Sequence, residues 1–178
     1  EKYTELLEQR QLGLKNIVSY DNIISNLRLI LFLVFGALGL GFVYTDAVPA
    51  FALVVSAFSF LVCIVVHSPV VRKRRKLETS VAYFEKALRR LQWGWIGEGD
   101  EGQDFKATDH LYSADLDLFG KGSVFELICQ ARTGVGRETL AQWLLTPASL
   151  EEMRARQSRV QELSDAVLMR ESLAVSDG

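Results

Sequence analysis

Two glycine-containing stretches of the chain resemble the loops with which proteins bind phosphate groups. Residues 97–102 match the spacing G-x-G-x-x-G of dinucleotide sites, in which backbone N–H groups between a strand and a helix point at the phosphate. Here the stretch follows a predicted helix and carries three acidic residues, which would repel a phosphate. Residues 120–123 lack the first glycine of a P-loop. The sequence therefore predicts no nucleotide site.

The acidic residues between Asp115 and Glu126 have part of the spacing of a calcium-binding loop. Acids stand at loop positions 1, 3 and 12 and a glycine at position 6, but position 5, normally a ligand, is Phe119. Helices of the EF-hand type are not predicted on either side. The two cysteines and two distant histidines have no metal-ligand spacing. We therefore expect no metal site, no catalytic residue and no cofactor in these residues.

Five consecutive cations form the clearest charged feature of the chain: Arg72, Lys73, Arg74, Arg75 and Lys76. Such a cluster is typical of a nucleic-acid contact, of a localisation tag, or of a segment that binds anionic lipid headgroups beside a membrane. The net charge of the whole chain is −2, so bulk attraction to nucleic acid is not expected. Because the cluster directly follows a long apolar run, we favour lipid headgroups as its partner.

The chain is organised around two apolar runs without a charged residue, 29–43 and 50–66. The corresponding spans, Leu27–Thr45 and Ala47–Val66, each have close to the ~20 residues that cross a bilayer core. The first reaches that length if the Arg28 side chain extends toward the headgroups. Asp46 and Pro49 predict a tight turn between the spans, so we predict a transmembrane helical hairpin. The alternatives are a buried helical pair in a soluble core and a cleaved signal peptide.

The charges around the two predicted spans predict their orientation. The cations at 72–76 follow the second span immediately, whereas the turn at 44–49 holds one acidic residue and no basic one. Basic residues are retained on the cytoplasmic side of a membrane, so both termini are expected to be cytoplasmic. A channel or transporter is disfavoured, because the two apolar runs, 29–43 and 50–66, offer an ion no charged side chain.

Two helices are predicted to flank the hairpin. The N-terminal helix carries a heptad-like apolar stripe that Arg10 and Asp21 interrupt: Leu7, Leu14, Ile17 and Ile24. After the cations, apolar residues spaced 4-3-4-3-4 form a helix-pairing seam: Leu77, Val81, Phe84, Leu88, Leu91 and Trp95. The N-terminal helix is the expected partner of this seam, and a second copy of the chain is the alternative.

The remaining residues predict a mainly α structure. A short extended segment is expected at 114–119, followed by a helix to about residue 132 that begins with the capping box Ser123–Glu126. A helix is predicted from about 137 to 145, in which Leu140, Trp143 and Leu144 lie on one face at i, i+3 and i+4 and are expected to pack inward. The second capping box, Ser149–Glu152, begins another helix. The expected domains are a cytosolic helix (1–28), a transmembrane hairpin (29–66), a basic juxtamembrane amphipathic helix (67–96), a linker (97–114) and a helical portion (115–178). We expect the chain to continue beyond residue 178.

Residues 115–165 resemble the start of the helical core (lever) domain of the MutS family of DNA mismatch-repair ATPases. The matching residues are Leu116-Asp-Leu118, Gly122-Ser-Val-Phe125, Thr133-Gly-Val-Gly-Arg137, Leu140, Trp143-Leu-Leu-Thr-Pro147 and Arg156 to Leu163. In that domain a Thr-x-x-Gly-Arg turn leads into a helix that ends near Trp-Leu-x-x-Pro. The resemblance implies a scaffold without chemistry, formed by Thr133, Gly136, Arg137, Leu140, Trp143, Leu144 and Pro147.

The resemblance also implies a function that extends beyond these residues. The chain has no Phe-x-Glu motif, with which the family wedges a phenylalanine into mismatched DNA, and a predicted hairpin stands where that domain should be. The chain therefore resembles a membrane-anchored bacterial MutS-like protein of the inner membrane. ATP and Mg²⁺ would bind in a C-terminal part, DNA would be bound outside these residues, and the protein would be a homodimer. The alternative is a non-enzymatic membrane adaptor or dimerisation module, which the heptad seam favours.

Overall fold

The computed structural model describes residues 1–45, 49–106 and 110–176, and within these ranges the chain is helical and contains no strand. The α-helices are α1 (Lys2–Thr45), α2 (Ala50–Leu91), α3 (Val124–Ile128), α4 (Gly134–Leu145), α5 (Leu150–Asp165) and α6 (Val167–Ser176), and a 3-10 turn covers Gln103–Phe105. Two compact units are present: Glu1–Tyr83 together with the residues from Leu173 onward, and Phe84–Ser172. The mainly α prediction is confirmed.

Helices α1 and α2 each continue from a predicted span into the predicted flanking helix without interruption. The predicted turn at Asp46 lies outside the described residues. Helix α2 ends at Leu91, so the last seam position, Trp95, lies beyond the helix. The end is marked by Trp93, whose φ of 62° is a left-handed conformation that no residue inside an α-helix adopts.

Within the first unit, α1 and α2 run antiparallel. The Phe32 ring lies 6.2 Å from the Phe60 ring, and the Ile24 carbonyl lies 4.0 Å from the Cys63 sulfur. Nearer the N-terminus, a Cβ placed on Gly13 would lie 3.7 Å from the Leu77 side chain. Positions on α2 rise as those on α1 fall, which is the register expected of a hairpin.

Both long helices are apolar enough to cross a membrane. Among the described residues, the candidate spans lie in Lys2–Tyr44 and Ala50–Leu91, and their most apolar windows are only 0% and 11% buried. The core helix of a soluble protein would be mostly buried, so the interpretation as a buried pair is disfavoured. Soluble proteins rarely expose apolar patches of this extent, and the exposed apolar side chains support an association with a membrane.

The second unit has a small apolar core. Its buried members are Leu118, Phe119, Phe125, Cys129 and Ala141, and Phe105, Leu140 and Leu144 pack against them. Three rings contact one another, with Phe105, Phe119 and Phe125 centroids between 5.5 and 6.1 Å apart. Tilted aromatic pairs at this spacing stabilise a core beyond the area they bury.

Two local predictions in this unit were wrong. The segment 114–119, expected to be extended, begins with turns: the Asp117 N–H donates to the Ala114 carbonyl at 3.2 Å, and the φ of Asp117 is 46°. Within the described residues there is no neighbouring strand with which an extended segment would pair. Helix α3 ends at Ile128 and not near residue 132, because Cys129 is extended and its carbonyl accepts a hydrogen bond from Arg90 at 3.1 Å.

Candidate functional site

A buried carboxylate joins the two long helices. Asp21 of α1 is only 6% exposed. One of its oxygens lies 2.5 Å from His67 Nε2, and the other accepts a hydrogen bond from the Arg74 guanidinium at 2.7 Å. Arg74 also donates to Glu78 at 2.8 Å, so Asp21, His67, Arg74 and Glu78 form one connected group, here termed the interhelical clamp. A buried charge is tolerated when it is paired and hydrogen-bonded in this way.

The residues around the clamp follow a heptad pattern on both helices. On α1 the less exposed face passes through Leu7, Arg10, Leu14, Ile17, Asp21 and Ile24. On α2 it passes through Cys63, His67, Val70, Arg74, Leu77 and Val81. Polar groups at single positions of such a seam fix the register of two helices, since a shift would leave a buried charge without its partner.

The spacing of the clamp residues in the sequence also indicates an interhelical pair, although the heptad analysis above treated Asp21 as an interruption. Asp21 lies seven residues after Leu14, so it occupies a seam position and does not merely interrupt the stripe. His67 and Arg74 are also seven residues apart, on one side of α2. An acid on one seam and two basic side chains on the facing seam predict an interhelical pair.

The predicted lipid-facing cations are not equivalent in the structure. Arg72, Lys73, Arg75 and Lys76 are exposed, whereas Arg74 is half-buried in the clamp. Four of the five cations are therefore exposed, and the fifth joins α2 to Asp21 of α1.

The predicted helix-pairing seam is divided between the two units. Leu77, which faces Gly13, and Val81 belong to the first unit, in which α1 is the neighbouring helix. Phe84 and Trp95 are buried and Leu88 is half-buried in the second unit, whereas Leu91 is 69% exposed.

Replacing Asp21 with Asn is expected to weaken the pairing of α1 with α2. The variant keeps the shape of the side chain but removes the charge that Arg74 and His67 contact, and it leaves the Arg74 cation partly buried. We expect amide hydrogen exchange in residues 12–25 of the detergent-solubilised protein to rise roughly tenfold, as for one charged hydrogen bond. Glu8→Gln, an exposed acid on the same helix, is the matched control. Equal exchange in the two variants would contradict a role for the clamp in pairing.

A second buried carboxylate organises the second unit. Glu126 is 1% exposed, and its Oε1 accepts from the backbone N–H groups of Gly97 at 2.6 Å and Gly99 at 3.1 Å. Its Oε2 accepts from the Gly122 N–H at 2.7 Å. Burial opposes ionisation of Glu126, but the N–H groups of Gly122, Gly99 and Gly97 outweigh it and hold the pKa below its ordinary value. We term Glu126 and these three amides the glycine cradle.

The glycine cradle explains why the phosphate-like loops do not form a phosphate site. The amides of Gly97, Gly99 and Gly122, which would have to face a phosphate, donate to a carboxylate of the chain itself. The residues present therefore do not fit a nucleotide. The partial calcium loop fails for the same reason, because its twelfth residue, Glu126, is already bound by amides. No cluster of metal-binding side chains occurs in the described part of the chain.

The segment predicted as a linker is held to α4 by an ion pair. Asp100 bonds the Arg137 guanidinium through both oxygens, one of these contacts measuring 3.1 Å, and it also accepts from the Gly102 N–H at 3.0 Å. The Arg137 guanidinium lies 5.5 Å from the centre of the Phe105 ring. Burial opposes the charge on Asp100, but hydrogen bonds from Arg137 and Gly102 lower its pKa. Residues 97–106 are therefore ordered against the core.

The residues that carry the family resemblance lie around α4. Thr133 caps the helix by accepting from the Gly136 N–H at 3.2 Å, and a Cβ on Gly136 would lie 3.0 Å from Ala131. Leu140 and Leu144 pack on the core. Pro147 follows the end of the helix at Leu145 and is exposed.

Trp143 does not pack inward as its helical spacing predicted. It is 47% exposed, and the Arg156 guanidinium lies 4.1 Å from the centre of its ring. Arg156 also pairs with Glu152 one turn earlier on α5. A cation over an aromatic face links α4 to α5 across the loop at Pro147.

We compared the chain with models of protein families, with curated proteins and with solved structures, and none of them matches it.

Proposed function

We propose that this chain anchors a MutS-like ATPase to the bacterial inner membrane and forms the start of its helical core domain. On this proposal both termini are cytoplasmic. ATP, Mg²⁺ and DNA are bound by parts of the protein outside residues 1–178, and these residues supply the anchor and a scaffold. The observation that carries the anchor is the exposure of the apolar side chains of α1 and α2.

The position of the interhelical clamp supports the proposed edge of the membrane. The apolar run of α2 ends at Val66, and the next residue, His67, contacts Asp21. A bilayer that covers the apolar run would place the clamp at its edge, with the exposed cations from Arg72 onward beside the headgroups. Each cation near an anionic surface contributes about 1 kcal/mol to membrane binding.

The MutS-like part of the proposal rests on the residues of the resemblance and on their arrangement. A threonine-capped helix with a closely packed glycine in its first turn, and with Arg137 and two leucines directed at one core, is what a scaffold role requires. The second unit is helical throughout its described elements, as a lever domain would be.

One preparation tests both parts of this proposal. Membranes that contain the full-length protein are extracted with alkaline carbonate, and ATP hydrolysis is then measured with and without duplex DNA. We expect the protein to remain in the membrane pellet and its ATP hydrolysis to rise with DNA, whereas residues 1–178 alone hydrolyse none. Release by carbonate would refute the anchor, and full-length protein that neither binds nor hydrolyses ATP would refute the MutS-like assignment.

Intact cells that contain the full-length protein test the orientation. A cysteine at position 46 (Asp46→Cys) should react with a membrane-impermeant maleimide added from outside the cell, and the wild-type protein, whose cysteines are buried, is the control. Labelling from the cytoplasmic side alone would reverse the orientation.

A further inference from the structure

Helix α2 contains a proline just beyond its apolar run. Pro69 lies inside the helix, three residues after Val66, where that run ends. A proline has no N–H group, so the Val65 carbonyl lacks the donor that an α-helix normally supplies, and the proline ring crowds this carbonyl. Sharp bends in helices occur mostly at prolines and at a few similar interruptions. Pro69 is therefore the point at which α2 bends most easily.

The proline lies on the face of α2 that is turned away from α1. Pro69 is exposed, whereas His67, Val70 and Arg74 are less exposed and belong to the face along α1. Because the proline ring pushes against a carbonyl on its own side, a helix bends away from its proline. Helix α1 therefore lies on the inner side of a bend at Pro69, where its side chains can hold the two parts of α2 together.

Asp21 of α1 binds α2 on both sides of this proline. One of its oxygens lies 2.5 Å from Nε2 of His67, two residues before Pro69. Its other oxygen accepts a hydrogen bond at 2.7 Å from Arg74, five residues after Pro69. A single buried carboxylate thus bridges the place where the hydrogen bonds of the helix are interrupted. A change in the bend of α2 lengthens at least one of these two contacts, so the interhelical clamp resists it.

We propose that Pro69 is a hinge in α2 and that the interhelical clamp holds this hinge more tightly when His67 is protonated. Histidine is the side chain that changes its charge between about pH 5 and pH 8. In the clamp, Asp21 and Glu78 share one guanidinium, that of Arg74, so a proton on His67 balances the two negative charges. A charged donor also binds a carboxylate about twice as strongly as a neutral one. The part of α2 after Pro69 therefore responds to the pH on the side of the membrane where the cations lie.

The other groups of the clamp keep their charge over this pH range. Hydrogen bonds from His67 and Arg74 hold the pKa of Asp21 below its ordinary value, and hydrogen bonds to Asp21 and Glu78 raise the pKa of Arg74. Glu78 is exposed, and an exposed glutamate is ionised above about pH 5.

No further group around His67 changes its charge in this range. Cys63, one turn earlier on α2, is buried, in an environment that keeps a thiol protonated. Arg10 lies on the same face of α1 as Asp21 and stays charged, as arginine does. The described residues of α6 in the first unit, 173–176, contain no titratable side chain. His67 is therefore the group through which pH acts on the clamp.

The test measures the distance between α1 and α2 beyond the hinge by pulsed electron paramagnetic resonance. Spin labels are attached at Gln9→Cys and Ala82→Cys, two exposed positions of the first unit, in full-length protein in lipid nanodiscs. The wild-type protein, whose cysteines are buried, reports background labelling. We expect one narrow distance at about pH 5.5. At about pH 8 the fraction of pairs outside this peak should be roughly fivefold larger, as when one hydrogen bond loses its charge.

Two variants at position 67 and its neighbour test the role of the histidine. His67→Gln keeps an N–H donor but does not titrate, so its distance distribution should be the same at both pH values. Ser68→Ala, at an exposed position beside it, is the matched control and should keep the pH response of the wild-type protein. A wild-type distribution that does not change with pH, or a response that His67→Gln retains, would overturn the proposal.

Pro69→Ala distinguishes a hinge from a general loss of helix pairing. Alanine restores the N–H donor for the Val65 carbonyl and removes the ring, so α2 should become stiff at this point. Asp21→Asn should broaden the distance distribution in protein that contains Pro69 and leave it narrow in protein that carries Pro69→Ala. Equal broadening in both backgrounds would overturn the hinge, because the two helices would then separate along their whole length. The hinge belongs to α1 and α2 alone, so neither ATP hydrolysis nor the MutS-like assignment affects this result.

Discussion

Replacing Glu126 with Ala is expected to lower the free energy of unfolding of the second unit by about 4 kcal/mol. The variant removes the acceptor for three backbone N–H groups, of Gly97, Gly99 and Gly122, around a carboxylate that is 1% exposed. A buried N–H group left without an acceptor destabilises the folded chain by more than its hydrogen bond had stabilised it. Hydrogen exchange of segments 97–106 and 118–129 in the detergent-solubilised chain measures the loss, since these are the segments that the glycine cradle joins.

Glu138→Gln is the matched control for this prediction. Glu138 is an exposed acid on α4, in the same unit, and its replacement should change the free energy of unfolding by less than ~0.5 kcal/mol. Similar losses in both variants would show that removal of any negative charge destabilises the unit, and would contradict a specific role for the glycine cradle.

The glycine cradle also predicts a dependence on pH. The pKa of Glu126 is held below its ordinary value of 4.5 in the folded chain, so the unfolded chain takes up a proton first as the pH falls. The stabilisation is therefore complete above about pH 4.5 and is lost as the pH falls through the folded-state pKa. Glu126→Gln should lack this part of the acid dependence. Identical acid profiles for wild-type and variant would contradict an ionised Glu126 in the folded state.

Local patterns predicted the elements of the fold where a few neighbouring residues determine them. The long apolar runs predicted α1 and α2. The capping residues predicted the starts of α3 and α5, where Ser123 and Ser149 accept hydrogen bonds from the third helical N–H as expected. A helix start depends on contacts within one turn, so four residues of sequence contain the required information.

The candidate sites could not be predicted in this way because their partners are distant in sequence. Glu126 was expected to reach back within its own capping box, yet one of its oxygens binds amides 27 and 29 residues earlier. Three acids and three glycines made residues 97–102 resemble a solvated linker. Only the folded chain shows that Gly97 and Gly99 are needed for the close approach of backbone N–H groups to the buried Glu126 carboxylate.

A substitution in residues 97–106 tests whether this segment is a linker or part of the core. Gly102→Ala is expected to lower the free energy of unfolding by about 3 kcal/mol. The φ of Gly102 is 61°, and an added Cβ would lie 2.7 Å from Phe125 Cδ1 and 2.9 Å from Phe119 Cδ1, on two rings that are buried. Neither ring has room to withdraw from a close-packed core. A solvated linker would accept alanine at no cost. Hydrogen exchange of residues 97–106 and 118–129 measures the difference.

The control for this change is a substitution at another glycine in the same unit, for which the free energy of unfolding is expected to stay the same or rise. Gly134 is the first residue of α4, and a Cβ added there meets no atom within 4 Å. Because alanine loses less backbone entropy than glycine on entering a helix, Gly134→Ala should leave stability unchanged or raise it by up to ~1 kcal/mol. If both variants behave alike, packing of the segment against Phe119 and Phe125 is not what holds it. Stability changes of opposite sign would show that residues 97–106 fold as part of the core. Gly102 then leaves space for the Phe119 and Phe125 rings, and Glu126 binds the backbone N–H groups of the residues before Gly102.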